Sequence, residues 1–263
     1  MTAYTSDEMM TVAAARRLTN GAVCFVGIGL PSAACNLARL THAPDLVLIY
    51  ESGTVGTRPN VLPLSIGDGE LAETARSVIP LPEIFTHYLQ RGRVDVGFLG
   101  GAQIDRFGNL NSTVIGPYDA PTVRLPGAGG APEIAMHVKE LLIVMKQSAR
   151  TFVNQLAFRT TAGFLDGGDA RARAGFAGAG PRAVITDLGE MTPDAETHEL
   201  VLNSIFEDVT VDDVCAACGW PLRTAGTVTR IAPPTDSELQ TLRDLQQRTR
   251  EAHAQRVRIT LPT

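Results

Sequence analysis

The feature that most constrains this chain is a run of five apolar residues, Leu46-Val47-Leu48-Ile49-Tyr50, that ends abruptly at Glu51-Ser52-Gly53. Five residues are too few for a helix, and two of them are β-branched. A segment with no polar residue to turn toward water is typical of a central parallel strand, covered on both faces. Segments 22–26, 94–99, 141–145 and 183–186 read as strands too, and 110–115 reads as extended. Helical patterns lie between them. Thr5 and Glu8 have the spacing of a capping box, ahead of Met9, Val12, Ala13 and Leu18 at helical period, and Asn20-Gly21 stops that helix. Gly27-Ile28-Gly29-Leu30-Pro31 is a tight turn into a second helix, with Pro31 in the first turn, where its missing N–H would have had no partner. Pro233-Pro234 breaks the chain, and Thr235 with Glu238 opens a long polar helix to about residue 254, read as a surface or subunit-contacting element. Helices interleaved with short apolar strands imply an α/β fold with an open, mostly parallel sheet flanked by helices. No internal repeat and no linker is visible, so residues 1–263 read as one domain.

Composition narrows the function. Hydrophobic residues make up 44% and charged residues 19%, which places the chain among globular proteins and excludes a disordered tail or collagen-like rod. No stretch approaches the ~20 apolar residues of a membrane helix. The N-terminus carries acids where a signal peptide carries bases, so the expectation is a cytoplasmic protein. A net charge of -5 argues against nucleic-acid binding, which needs a clustered basic footprint. Only Lys139 and Lys146 among the 23 basic residues are lysines; an Ala- and Gly-rich, GC-rich coding bias explains the preference for Arg. Four cysteines make no disulfide framework. Cys215 and Cys218 lie at the end of a helical pattern rather than at its start, so they read as packed thiols, not as a redox or zinc pair. The five histidines do not cluster, and no metal site is implied.

In open α/β sheets, ligands bind beyond the carboxyl ends of the strands. Two segments qualify: Gly27-Ile28-Gly29, and Glu51-Ser52-Gly53. The first resembles a dinucleotide-binding turn but departs from it at the third glycine, so a nicotinamide enzyme is a minor alternative to a plain strand-to-helix turn. The second puts a carboxylate where a buried strand meets a ligand crevice, though a polar strand end with no function has the same pattern. Gly100-Gly101 and Pro126-Gly127-Ala128-Gly129-Gly130-Ala131-Pro132 add glycine-rich segments.

Five ordered segments carry a resemblance. They are Gly21 to Pro31 (GAVCFVGIGLP), Leu48 to Gly53 (LIYESG), Leu64 to Leu71 (LSIGDGEL), Val96 to Asn109 (VGFLGGAQIDRFGN) and Leu125 to Ile134 (LPGAGGAPEI). Together they resemble the second, or B, subunit of family I coenzyme A transferases, from near the N-terminus to about residue 255. Within that family the likeness is to members acting on 3-oxo dicarboxylic acids with succinyl-CoA as donor; glutaconate-type members are more distant. By position, Glu51 matches the family's catalytic glutamate.

The resemblance implies a ping-pong reaction in which coenzyme A is a co-substrate and no cofactor is permanently bound. The glutamate attacks an acyl-CoA thioester and gives an acyl-glutamyl anhydride and CoA thiolate. The thiolate returns to form a glutamyl-CoA thioester, and the acceptor acid reverses the steps. The oxyanions need main-chain donors, for which Gly129 or Gly130, with Gly127, are the candidates. Gly27, Gly29, Ser52 and Gly53 are implied as substrate or CoA contacts. A partner A subunit is implied as well, in an assembly such as A2B2 with its site at the A–B junction. Asp105-Arg106 and Gly108-Asn109 read as a structural turn, Arg106 and Arg124 as surface ion pairs, and Glu70 and Glu73 as solvated acids. A CoA-dependent hydrolase of the same fold stays as a second reading, although those relatives lack the glutamate. A non-catalytic ligand-binding or scaffolding subunit is a third.

Overall fold

A computed structural model describes residues 3–260. They pack as two compact units, one made of the chain up to residue 84 and from residue 234 onward, the other of residues 85–233.

The first unit opens with α1 (Ser6–Arg16). Its capping box is real: Glu8 N donates to Thr5 Oγ1 at 3.2 Å, and Thr5 N donates back to Glu8 Oε2 at 2.8 Å. Two otherwise orphaned donors are thereby satisfied. Then come β1 (Val23–Phe25), α2 (Leu30–Leu40), β2 (Val47–Ile49), β3 (Thr54–Thr57), α3 (Gly69–Glu73), β4 (Ser77–Val78) and the single turn α4 (Leu81–Glu83). β1 and β2 are parallel, Val23 to Phe25 opposite Val47 to Ile49, while β3 and β4 add on antiparallel. Cys24, Phe25, Leu48, Ile49 and Tyr50 are buried, as the apolar run predicts, against the small inner face of α2 (Ala34, Cys35, Leu37, Ala38).

The second unit follows a six-residue π-helix, Ile84–Leu89. Its strands are β5 (Val96–Leu99), β6 (Gln103–Ile104), β7 (Leu110–Asn111), β8 (Val114–Ile115), β9 (Val123–Arg124), β10 (Glu140–Val144), β11 (Pro181–Ile185), β12 (Gly189–Pro193), β13 (Leu200–Ile205) and β14 (Arg223–Arg230). Its helices are α5 (Ala131–His137), α6 (Ala170–Arg173) and α7 (Val211–Ala216). β5, β10 and β11 are parallel neighbours; β12 and β13 continue antiparallel, and β14 returns parallel to β13. The segment read as extended over 110–115 is two short strands, because Asn111 turns its side chain back onto Val114 O at 2.7 Å. α5 sits on β5 at Gly97, where a β-carbon would come within 2.8 Å of Ile134 and Val138 side-chain carbons.

The chain then re-enters the first unit as α8 (Asp236–Thr260), opened by the Thr235–Glu238 box. It runs past residue 254 because no helix breaker occurs before Pro262. Two bidentate ion pairs fasten it across α1: Arg16 onto Glu238 at 2.8 and 2.7 Å, and Arg243 onto Glu8 at 2.6 and 3.0 Å. Leu239, Leu242 and Leu245 fill the interface. Among the described residues no helix is long and apolar enough to cross a membrane.

Candidate active site

Glu51 occupies the first corner of a β-turn directly after β2. Gly53 N donates to Tyr50 O at 3.0 Å to close the turn, and Tyr50 N donates to Thr54 O at 3.1 Å as β3 begins. The turn is possible only because Gly53 has φ +111; a β-carbon there would lie 2.0 Å from the backbone oxygen of Ile79. Glu51 is half-buried, and its carboxylate has no hydrogen-bond or ion-pair partner among the described residues. Beside it, Ser52 Oγ and Thr54 Oγ1 are buried hydroxyls without a hydrogen-bond partner among the described residues.

Gly27 and Gly29 are brought to the same edge. Phe25 pairs with Ile49, and Val26 N donates to Ile49 O at 2.9 Å, so Gly27 follows β1 as Glu51 follows β2. Gly29 (φ +83) is the N-cap of α2, and Pro31 lies in its first turn. The carboxyl edge of two parallel strands therefore carries Gly27, Gly29, Glu51, Ser52 and Gly53 together. From α2, Ser32 Oγ reaches the Tyr50 hydroxyl at 2.7 Å, both side chains being buried. Burial pushes the Tyr50 phenol well above its ordinary value, so it stays neutral.

Gly127, Gly129 and Gly130 belong to the second unit. Gly127 N donates to Ser112 O at 2.8 Å, and Ser112 Oγ donates to Gly127 O at 2.9 Å, which anchors the loop to the stretch between β7 and β8. Gly127 (φ +106) and Gly129 (φ +51) have open space where a side chain would project, and Gly130 is the N-cap of α5. The N–H groups of Ala128, Gly129 and Gly130 make no hydrogen bond among the described residues.

The remaining candidates resolve into structure. Asp105 and Asn109 are buried: Asn109 Nδ2 donates to both Asp105 carboxylate oxygens and to Leu165 O, while its Oδ1 accepts from Gly163 N and Leu165 N. Burial raises the Asp105 carboxyl against the pull of those bonds. The family segment 105–109 is thus a turn brace. Arg106 pairs with Glu199 at 3.5 Å beside a cleft of about 320 Å³, on which Arg159 is likewise matched, by Asp166 at 2.9 Å. Arg124 lies over the Tyr118 ring at 5.3 Å and makes no ion pair among the described residues. Glu70 is not a solvated acid: it is buried and accepts Asn60 N at 2.6 Å. Cys218 is partly covered, and burial pushes its thiol up to about 11, which fits packed rather than reactive cysteines.

Two buried features carry no signal in the sequence. Cys24 and Cys35, on strand and helix, face each other as free thiols. Arg171, 5% exposed, donates to the carbonyls of Gly178, Gly163 and Ala135 at 2.9, 2.8 and 2.7 Å, and burial lowers it to about 10. No periodic pattern marks an arginine whose hydrogen bonds go to main-chain oxygens and whose guanidinium lies over the Phe176 ring at 5.1 Å.

Comparison with known proteins places the chain in a family. A family model described as coenzyme A transferase matches residues 7–217, a span that contains Glu51 and the glycine candidates. The chain is 62% identical over 255 residues, 97% of its length and 98% of the other's, to the second (B) subunit of 3-oxoadipate CoA-transferase from Pseudomonas knackmussii. It is 35% identical to the corresponding B subunit of glutaconate CoA-transferase from Acidaminococcus fermentans, with 88% and 89% of the two chains covered. The crystal structure of glutaconate coenzyme A-transferase from that organism superposes with a TM-score of 0.86 at 33% identity, over 92% of this chain and 94% of that one. A match of this extent shows the family: the chain belongs to the coenzyme A transferase family, which uses coenzyme A as co-substrate.

Proposed function

We propose that this chain is the glutamate-bearing subunit of a CoA-transferase that moves CoA from succinyl-CoA to 3-oxoadipate, and that Glu51 is its covalent nucleophile. The observation that carries the reading is the Glu51 carboxylate, held on a turn with no partner of its own, where a parallel sheet presents ligands. The 62% identity to a chain named for 3-oxoadipate favours that acid over glutaconate.

The chemistry follows from a weak nucleophile placed well. A Glu51 oxygen attacks the succinyl-CoA thioester carbon; the tetrahedral adduct collapses, expels CoA thiolate and leaves a succinyl-glutamyl anhydride. The thiolate attacks the glutamyl carbonyl of that anhydride, releases succinate and forms the glutamyl-CoA thioester. A carboxylate oxygen of 3-oxoadipate then attacks that thioester and frees the thiolate, which attacks the oxoadipyl carbonyl and restores Glu51. Orientation and loss of solvent around Glu51 supply reactivity that a carboxylate lacks in water. Within the second unit, the N–H groups of Gly129 and Gly130, on the loop shaped by Gly127, make no hydrogen bond among the described residues and are suited to an oxyanion, each such donor contributing about 3 kcal/mol. Ser52, whose buried hydroxyl lacks a partner, is a donor for bound substrate; Gly27, Gly29 and Gly53 let the thioester approach the main chain.

The chain acts with a partner A subunit, in an A2B2 assembly whose site lies at the subunit junction, in the cytoplasm. The test is CoA transfer by the co-purified pair, with succinyl-CoA as donor and 3-oxoadipate, acetoacetate or glutaconate as acceptor. Preference for 3-oxoadipate by at least about tenfold in kcat/KM, a difference of ~1.4 kcal/mol, is expected. Equal or greater rates with glutaconate would reassign the acid, and hydrolysis of succinyl-CoA without an acceptor would point to a hydrolase.

A further inference from the structure

We infer that the buried hydrogen bond between Tyr50 and Ser32 is a positioning device for the Glu51 nucleophile, locking the turn after β2 to the first turn of α2. The inference rests on the reading of Glu51 given above.

Tyr50 precedes Glu51 and makes two of the main-chain bonds that define its turn, as acceptor from Gly53 N and donor to Thr54 O. Its side chain reaches the other way. It is fully buried, and its hydroxyl meets Ser32 Oγ at 2.7 Å on a helix that begins at the Gly29 cap. The polar chain continues along α2 toward its half-buried end. Asn36 Nδ2 donates to Ser32 O at 2.9 Å, Arg39 donates to Asn36 Oδ1 at 3.2 and 3.0 Å, and Arg39 Nη2 donates to Pro59 O at 2.9 Å.

This column crosses an interior otherwise made of Cys24, Cys35, Leu37, Leu48 and Ile49. Phe at position 50 would fill that space without any polar group to satisfy. A buried polar column gives direction where apolar packing tolerates sliding, and the direction matters at Glu51. The two turns sit on neighbouring strands at one sheet edge, and the hydroxyl pair is a side-chain bond between them. Glu51 itself has no side-chain partner among the described residues, so its orientation depends on how its turn is seated. A nucleophile displaced by about 1 Å loses on the order of a hundredfold in rate.

The experiment uses the assembled complex with its A subunit and the variants Tyr50→Phe, Ser32→Ala and the double variant. Expected is a fall in kcat of about tenfold or more, with KM for succinyl-CoA within about twofold of wild type, because placement and not ground-state binding is lost. Formation of the Glu51 thioester in a single turnover should slow to match. The double variant should be no worse than Tyr50→Phe alone, since that variant has already lost the Ser32 bond. Circular dichroism melting accompanies each. Wild-type kcat in Tyr50→Phe, or rate losses that multiply in the double variant, would overturn the inference, as would a kcat loss equal to the loss of folded protein. If the wild-type complex forms no thioester at Glu51, the functional reading has failed. If it does, and the variants form it as fast, only the positioning role has.

Discussion

Replacing Gly53 by alanine tests how Glu51 is held. Gly53 has φ +111, outside the region that L-residues populate, and its missing β-carbon would sit 2.0 Å from Ile79 O. The obstacle is main chain and cannot rotate away. The strained φ costs roughly 1–3 kcal/mol. Pushing Ile79 back also breaks the bond that its N–H donates to Gly53 O at 3.0 Å, about 1 kcal/mol more. A penalty of ~2–4 kcal/mol corresponds to a melting temperature lower by roughly 5–15 °C if the turn keeps its shape. If the turn relaxes instead, Glu51 moves with it, and a shift of about 1 Å costs on the order of a hundredfold in kcat. The assay pairs CoA transfer by the assembled enzyme with thermal melting. Gly92→Ala serves as the control, since φ there is +64 with no atom within 4 Å of a β-carbon; about 1 kcal/mol and unchanged kcat are expected for it. A Gly53→Ala enzyme with wild-type kcat and wild-type melting temperature would refute this account of the turn.

The ion pairs between α1 and α8 should give acid-dependent stability. Burial raises the Glu238 carboxyl, but the Arg16 bond, with the Thr235 N–H and hydroxyl, outweighs it and holds the group at about 2; Arg243 similarly lowers Glu8. A depressed folded value means stability that is complete above the ordinary 4.5 and lost as pH falls toward 2. The melting-temperature gap between wild type and Glu238→Gln should therefore be largest near neutrality and close across that window; a gap independent of pH would contradict it. Arg171→Lys should cost about 3 kcal/mol or more in urea unfolding, because one ammonium cannot serve carbonyls of three segments. A cost below ~1 kcal/mol would show that those carbonyls find other partners. Cys218, at about 11, should alkylate slowly at pH 8 and faster only toward pH 11, and Cys215→Ser/Cys218→Ser should retain activity.

How much the sequence discloses depends on how local the cause is. The Thr5–Glu8 and Thr235–Glu238 boxes are written within four residues, and both helices start where they say. The box at Thr210 and Asp213 opens α7 in the same way but is harder to see, because its third helical position holds Asp where the usual pattern has Glu. The run before Glu51 is apolar on both faces, so β2 is legible from composition alone. β14 is not: RTAGTVTR is polar and largely exposed, stabilised by pairing with β13 and not by burial. β3 is four residues, TVGT, whose strand character comes from the turn at Gly53. The crossing at Ile84 and Phe85 falls inside a helical segment that Pro80 and Pro82 open rather than end, whereas the return at Pro233-Pro234 is visible as a break. Around the site, Glu51 is legible from its place after a strand, and the glycines from the family segments. Tyr50 and Ser32 are not, because a tyrosine ending an apolar run reads as core, and only the fold brings the two hydroxyls, 18 residues apart, to 2.7 Å.

Covalent catalysis by Glu51 leaves a signature in mass. The chain co-purified with its A subunit is incubated with succinyl-CoA, treated with borohydride, and analysed intact and after proteolysis. A glutamyl-CoA thioester is reduced to the primary alcohol, so the chain loses one oxygen and gains two hydrogens. The account predicts that change on the peptide containing Glu51, and its absence in Glu51→Ala. An unmodified Glu51 peptide from a complex that still consumes succinyl-CoA would contradict it.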